Sequence, residues 1–122
     1  MKKALVVDDS RAMRTILSQS LKEAGFAEVS QAANGREGYE FLVGHPDTEL
    51  CLVDWNMPEM SGIEFVRSVR ADRRWGSLPL MMVTSETEFA NMAEAIEAGA
   101  NEYAMKPFDQ AVIRDKLAIL GF

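Results

Sequence analysis

Three aspartates sit at places where chemistry would use them. Asp8 and Asp9 follow the apolar run Ala4–Val7, and Asp54 follows Leu50–Val53. Thr84 and Ser85 follow Pro79–Val83, and Lys106 with Pro107 ends the run that starts at Glu102. Taken singly, each has an ordinary reading: a turn or cap for the Asp-Asp pair, a loop residue for Asp54, a helix cap for Thr84, a surface charge for Lys106. Those readings do not explain why polar groups end most of the apolar runs of one chain. Like charges about 4 Å apart repel by about 4 kcal/mol at an effective dielectric near 20, so gathered carboxylates need a counter-charge. A hard divalent cation supplies it, and an oxygen-only ligand set suits Mg²⁺ or Mn²⁺ better than zinc. Lys106 adds a point positive charge and Thr84 a hydroxyl donor. Carboxylate, cation, ammonium and hydroxyl together form a cradle for a phosphoryl group, and a carboxylate attacking phosphorus gives an acyl phosphate.

For that cradle to exist, the runs must converge. "ALVV", "LCLV" and "PLMMV" are continuously apolar, as expected of strands buried on both faces of a parallel sheet. Glu28–Ala33 and Glu102–Lys106 are weaker strand candidates. Helical periodicity fills the intervals. After Ser10, a candidate N-cap, Met13, Ile16, Leu17 and Leu21 share a face up to Gly25. Further helices are expected over Glu37–Val43, Ile63–Trp75, Asn91–Ala98 and Asp109–Leu120. The alternation predicts an α/β fold: a doubly wound five-stranded parallel sheet with helices on both faces and flavodoxin-like order 2-1-3-4-5. Ligand sites in such sheets lie beyond the C-terminal strand ends, at the switch point between strands 1 and 3. That is where the aspartates fall.

Composition narrows the function classes. The chain has 122 residues, one domain's worth, with 48% hydrophobic and 26% charged residues. A net charge of −6 argues against a nucleic-acid surface. The basic cluster Arg67, Arg70, Arg73 and Arg74 reads as a solvated helix face, with the last two near its C-terminus. The single cysteine, Cys51, forms no intrachain disulfide and reads as a small buried hydrophobe. The opening MKKALVV is too short an apolar stretch for a signal peptide, and no run approaches a membrane span, so a cytoplasmic protein is expected. His45, the only histidine, lies in a turn-like stretch without a metal-binding neighbour. Met81 and Met82 read as core.

The segments "VVDDS", "LVDWNMPEMSG", "MVTSE" and "YAMKPF" resemble the signature segments of response-regulator receiver domains of two-component signalling. "DWNMP" and "KPF" resemble the stand-alone chemotaxis regulators most. The similarity spans the chain, so residues 1–122 are expected to be a single receiver domain. The family shares the 2-1-3-4-5 order, so that expectation is not independent of the resemblance. The resemblance implies roles. Asp54 would be the phosphoacceptor, fed by a histidine kinase. Asp9, Asp54 and the backbone carbonyl of Asn56 would bind Mg²⁺, with Asp8 acting mostly through metal-bound water. Lys106 would pair with phosphoryl oxygens. Thr84 would swing toward the phosphoryl group and Tyr103 would turn into the space it leaves. Their movement would remodel a surface of helix 4, strand 5 and helix 5 that binds an effector, such as a flagellar motor switch component. Asn56 and Glu86 would tune access of the hydrolytic water, and Pro107 would follow a cis peptide bond.

Two positions depart from the chemotaxis pattern. Ser10 stands where an aromatic is common, which bears on kinase and phosphatase contacts. Phe89 stands where a polar or basic residue is familiar; exposed, it would belong to a partner surface, and core is the favoured reading. No nucleic acid or membrane is expected as a partner, and the chain is expected to be a monomer. Alternatives are a phosphorelay shuttle, a receiver excised from a larger transcription regulator, an Asp-nucleophile phosphatase, and a flavin carrier. The phosphatase reading is weakened by Asn56, an amide where a second carboxylate would act as general acid and base. The flavin reading is weakened by the acidic loop "DDSRAM", which has no glycine.

Overall fold

The computed structural model describes residues 2–55, 57–85, 92–106 and 109–122. Its five strands are β1 (Lys3–Val7), β2 (Glu28–Ala32), β3 (Leu50–Asp54), β4 (Leu80–Thr84) and β5 (Glu102–Met105). Its helices are α1 (Arg11–Glu23), α2 (Gly35–Gly44), α3 (Gly62–Ala71), α4 (Met92–Ala98) and α5 (Gln110–Ile119). The sheet is wholly parallel, in the order β2-β1-β3-β4-β5.

Burial explains the continuous apolar runs. Alternate side chains of each central strand face opposite layers. Leu5, Val7, Cys51, Val53, Leu80 and Met82 join one core with Leu42 of α2, Phe65, Val66 and Val69 of α3, and Ala95 of α4. Ala4, Val6, Leu50, Leu52, Met81 and Val83 join the other with Leu17 and Leu21 of α1 and Ile113 and Leu117 of α5. A strand with helices on both faces has no position left for a polar residue, so the first one appears where the strand leaves the sandwich.

Caps set the helix ends. Ser10, Asn34, Ser61 and Asp109 each accept a bond from a backbone N–H of the first turn. Ser61 and Glu64 form a reciprocal capping box. The cap at Asn34 starts α2 earlier than its apolar spacing suggests. The third helix ends earlier than expected: Asp72 leaves helical backbone and caps a short 3-10 turn, Arg73–Trp75.

One arginine departs from the solvated face expected of its cluster. Arg70 is half-buried, and its guanidinium donates to the carbonyls of Gly99 (3.0 Å) and Leu78 (2.6 Å), to that of Trp75, and to Asn101 Oδ1 (2.7 Å). Gly99 has φ +125°, and a Cβ there would strike the Arg70 side chain. The arginine thus ties the end of α3 to the exit from α4 and the entry to β4. Arg67 instead makes an exposed pair with Glu94 at 3.1 Å. Replacing Arg70 by Met strands several carbonyls and is expected to cost about 2–4 kcal/mol, against under about 1 kcal/mol for Arg67→Met. Urea unfolding of the two variants checks this. Equal losses would mean that the buried fan contributes no more than the surface pair.

Candidate functional site at the C-terminal strand ends

Register brings the site together. Val7 pairs with Val53, so Asp8 follows β1 level with Asp54, the last residue of β3. Asp54 pairs with Val83, and Thr84 pairs with Met105, so Thr84 and Lys106 arrive at the same edge. One carboxylate oxygen each of Asp8, Asp9 and Asp54 lies within 4.8 Å of the others. Lys106 Nζ donates to Asp54 Oδ1 at 3.1 Å. Asp54 therefore belongs to the acidic cluster and also bonds the ammonium.

The surroundings hold these groups in place. Asp8 is 1% exposed. Its Oδ1 accepts from the Ser10 N–H at 2.8 Å, and its backbone carbonyl accepts from Arg14 Nη1 at 2.7 Å. Arg14 lies one turn into α1, a role that its helical position did not advertise. Gly62 is the second residue that sequence reasoning missed. A Cβ there would collide with the Asp54 carbonyl oxygen and the Met82 methyl, and the Gly62 N–H donates to the Trp55 carbonyl at 2.8 Å. Only glycine lets α3 start this close under β3. The connecting loop holds Glu59 at φ 69°, which costs a non-glycine residue about 1 kcal/mol.

Burial sets the electrostatics. It is the main cause that pushes the Asp8 carboxyl up to about 6; the negative charges of Asp54 and Asp9 add to it, and the Ser10 N–H and Lys106 oppose it. Burial also raises Asp54, opposed by the hydrogen bond and charge of Lys106. Asp8 Oδ2 is buried with no hydrogen-bond partner among the described residues. A buried carboxylate oxygen without a partner, on a residue clustered with two further carboxylates, fits a hard cation such as Mg²⁺.

Thr84 is fully buried, and its hydroxyl donates to the Ser85 carbonyl at 3.2 Å. Tyr103 is half-buried on β5, an edge strand, and packs against the α2–α4 core layer. Ser10 caps α1, as expected. Cys51, Met81 and Met82 are buried, and His45 is exposed at the end of α2. Asn56, Glu86, Phe89 and Pro107 lie outside the described residues.

Residues 4–118 match the model of the response regulator receiver domain. The chain belongs to that family. It is 42% identical to chemotaxis protein CheY1 of Helicobacter pylori over 118 residues, 97% of this chain and 95% of that protein. It is 42% identical to the chemotaxis protein CheY homolog of Campylobacter jejuni over 120 residues, 98% of this chain and 92% of that protein. Among solved structures, chemotaxis protein CheY4 of Vibrio cholerae superposes with a TM-score of 0.89 at 35% identity, covering 98% of both chains. The receiver fold, with its strand order 2-1-3-4-5, is thus shared with CheY proteins.

In this receiver, the raised Asp8 sets the sign of a pH effect. A carboxyl whose folded pKa lies above its unfolded value destabilises the fold at high pH, and the penalty disappears as pH falls through the folded value toward the unfolded one. Without divalent cations, Asp8→Asn is therefore expected to stabilise the protein by about 1–3 kcal/mol near pH 7. The advantage should shrink as pH falls through about 6. Urea unfolding in the presence of a chelator reads it, and an advantage independent of pH contradicts the assignment.

Proposed function

We propose that this receiver is a phosphorylation-activated switch in which Asp54 accepts a phosphoryl group from a histidine kinase. The supporting observation is the convergence of three carboxylates on one point with Lys106 bonded to Asp54. An Asp54 oxygen forms the new bond to phosphorus while the bond to the donor breaks, and its electron pair leaves with the donor. Lys106, already bonded to the attacking carboxylate, neutralises charge on the transferring group. Asp9, Asp54 and the Asn56 carbonyl are the proposed direct Mg²⁺ ligands, with Asp8 acting mostly through metal-bound water and Mn²⁺ as a substitute; the cation would supply charge neutralisation at the carboxylates and phosphoryl oxygens when bound.

The added phosphoryl charge lies beside Thr84, and Thr84 and Tyr103 carry the change to the surface formed by α4, β5 and α5. Output is then protein–protein. The CheY relatives favour chemotaxis, with a flagellar motor switch component as effector and a phosphatase as a further partner. The proposed unit is residues 1–122, cytoplasmic and monomeric, with no catalytic turnover beyond its own phosphorylation and dephosphorylation. No helix among the described residues is long and apolar enough to cross a membrane.

Incubation with a small acyl phosphate and Mg²⁺ tests the assignment. Mass spectrometry is expected to find one phosphoryl group, on the peptide containing Asp54, and none in Asp54→Asn. Label retained by Asp54→Asn would overturn it. Asn56→Ala and Glu86→Ala are expected to change phosphoryl lifetime more than the rate of phosphorylation. Lifetimes equal to the parent's would remove the proposed role of those residues.

A further inference from the structure

Tyr103 faces the α2–α4 core layer, whereas α5 belongs to the opposite layer. Lys116 of α5 nevertheless reaches it. Its ammonium lies 4.2 Å from the Tyr103 ring centroid. The same ammonium donates to Glu102 Oε1 at 3.1 Å, and that oxygen also accepts from the Tyr103 backbone N–H at 3.0 Å. Both partners of the ion pair are mostly shielded, with side-chain exposures of 22% and 14%. Because β5 is an edge strand, a side chain from one layer can pass around it to the other.

We infer that Lys116 is a positioning residue for Tyr103: Glu102 holds its ammonium over the ring, strapping the ring in its unphosphorylated orientation. The inference rests on the proposed role of Tyr103 as a moving part of the switch. A cation over an aromatic face is attracted by the ring quadrupole, and moving the ring forfeits that contact. Glu102 is essential because it fixes the ammonium close to the backbone of Tyr103 itself. The strap therefore sets how far the switch is biased before phosphorylation, without any contact between Lys116 and the carboxylate site.

The chain has two tyrosines, so 3-fluorotyrosine labelling gives two fluorine resonances, and Tyr39→Phe assigns them. In the parent, acyl phosphate with Mg²⁺ is expected to move the Tyr103 resonance. Lys116→Met keeps the apolar stem and removes the charge. It and Glu102→Gln are expected to shift the unphosphorylated resonance toward the phosphorylated position, with a roughly two- to fivefold change in the ratio of orientations. Lys116→Arg retains a cation over the ring and should restore the parent position, which filling of space alone would not require. A resonance that responds to phosphorylation but is unchanged in Lys116→Met and Glu102→Gln overturns the strap and leaves the proposed switch intact. A resonance that moves in the variants but not on phosphorylation overturns the regulatory role of the strap together with the moving role of Tyr103, while phosphorylation of Asp54 is read separately by mass.

Discussion

Carboxylate oxygens of Asp8, Asp9 and Asp54 held within 4.8 Å of one another are a constraint on the whole molecule. Among the described residues, the cation that pairs with it is a single lysine, Lys106, bonded to Asp54. Asp8 keeps a buried oxygen with no hydrogen-bond partner among the described residues. The cluster persists because rigid parts impose it: parallel register aligns the strand ends, Arg14 and the Ser10 N–H grip Asp8, and Gly62 admits the start of α3 against the Asp54 carbonyl. The repulsion is local, and the two cores that oppose it are spread through the sheet.

The same sandwich explains how a change at the site can reach the surface. The central strands are buried on both faces and leave little room for rearrangement. The edge strand β5 differs. Only Ala104 within it is fully buried, and Tyr103 is half-exposed. Thr84, on β4, lies inside the fold with its hydroxyl on a neighbouring carbonyl. A group that can change its hydrogen bond, next to a strand that is only partly packed, is where the proposed two-state switch would have its bistable element.

Much of this was legible in the residues. Continuous apolar runs announced the central strands, because a strand covered on both faces can carry no polar side chain. Asp54 announced the site, because it is the first polar residue that β3 reaches. The edge strands were fainter, since β2 and β5 are only partly covered. What stayed hidden is what depends on tertiary approach. Arg70 has the sequence signature of a solvated helix face, yet the turn after α3 folds backbone carbonyls around it. Gly62 stands just before the helix expected from Ile63, and only the packed structure shows the carbonyl it must clear. Lys116 meets Tyr103 around a sheet edge, a contact that no spacing within one element predicts.

The proposed cation site is the carboxylate cluster at the strand ends. Trp55 adjoins Asp54 and is buried, and the only other tryptophan is Trp75. The indole nitrogen of Trp75 makes no hydrogen bond among the described residues, so Trp75→Phe isolates the Trp55 signal without breaking a side-chain hydrogen bond. Fluorescence of that protein is then followed as Mg²⁺ is added. A saturable change that weakens by at least about tenfold in affinity when Asp9 becomes Asn is the expected result. No saturable change, or one that survives the loss of Asp8 and Asp9 together, would contradict it.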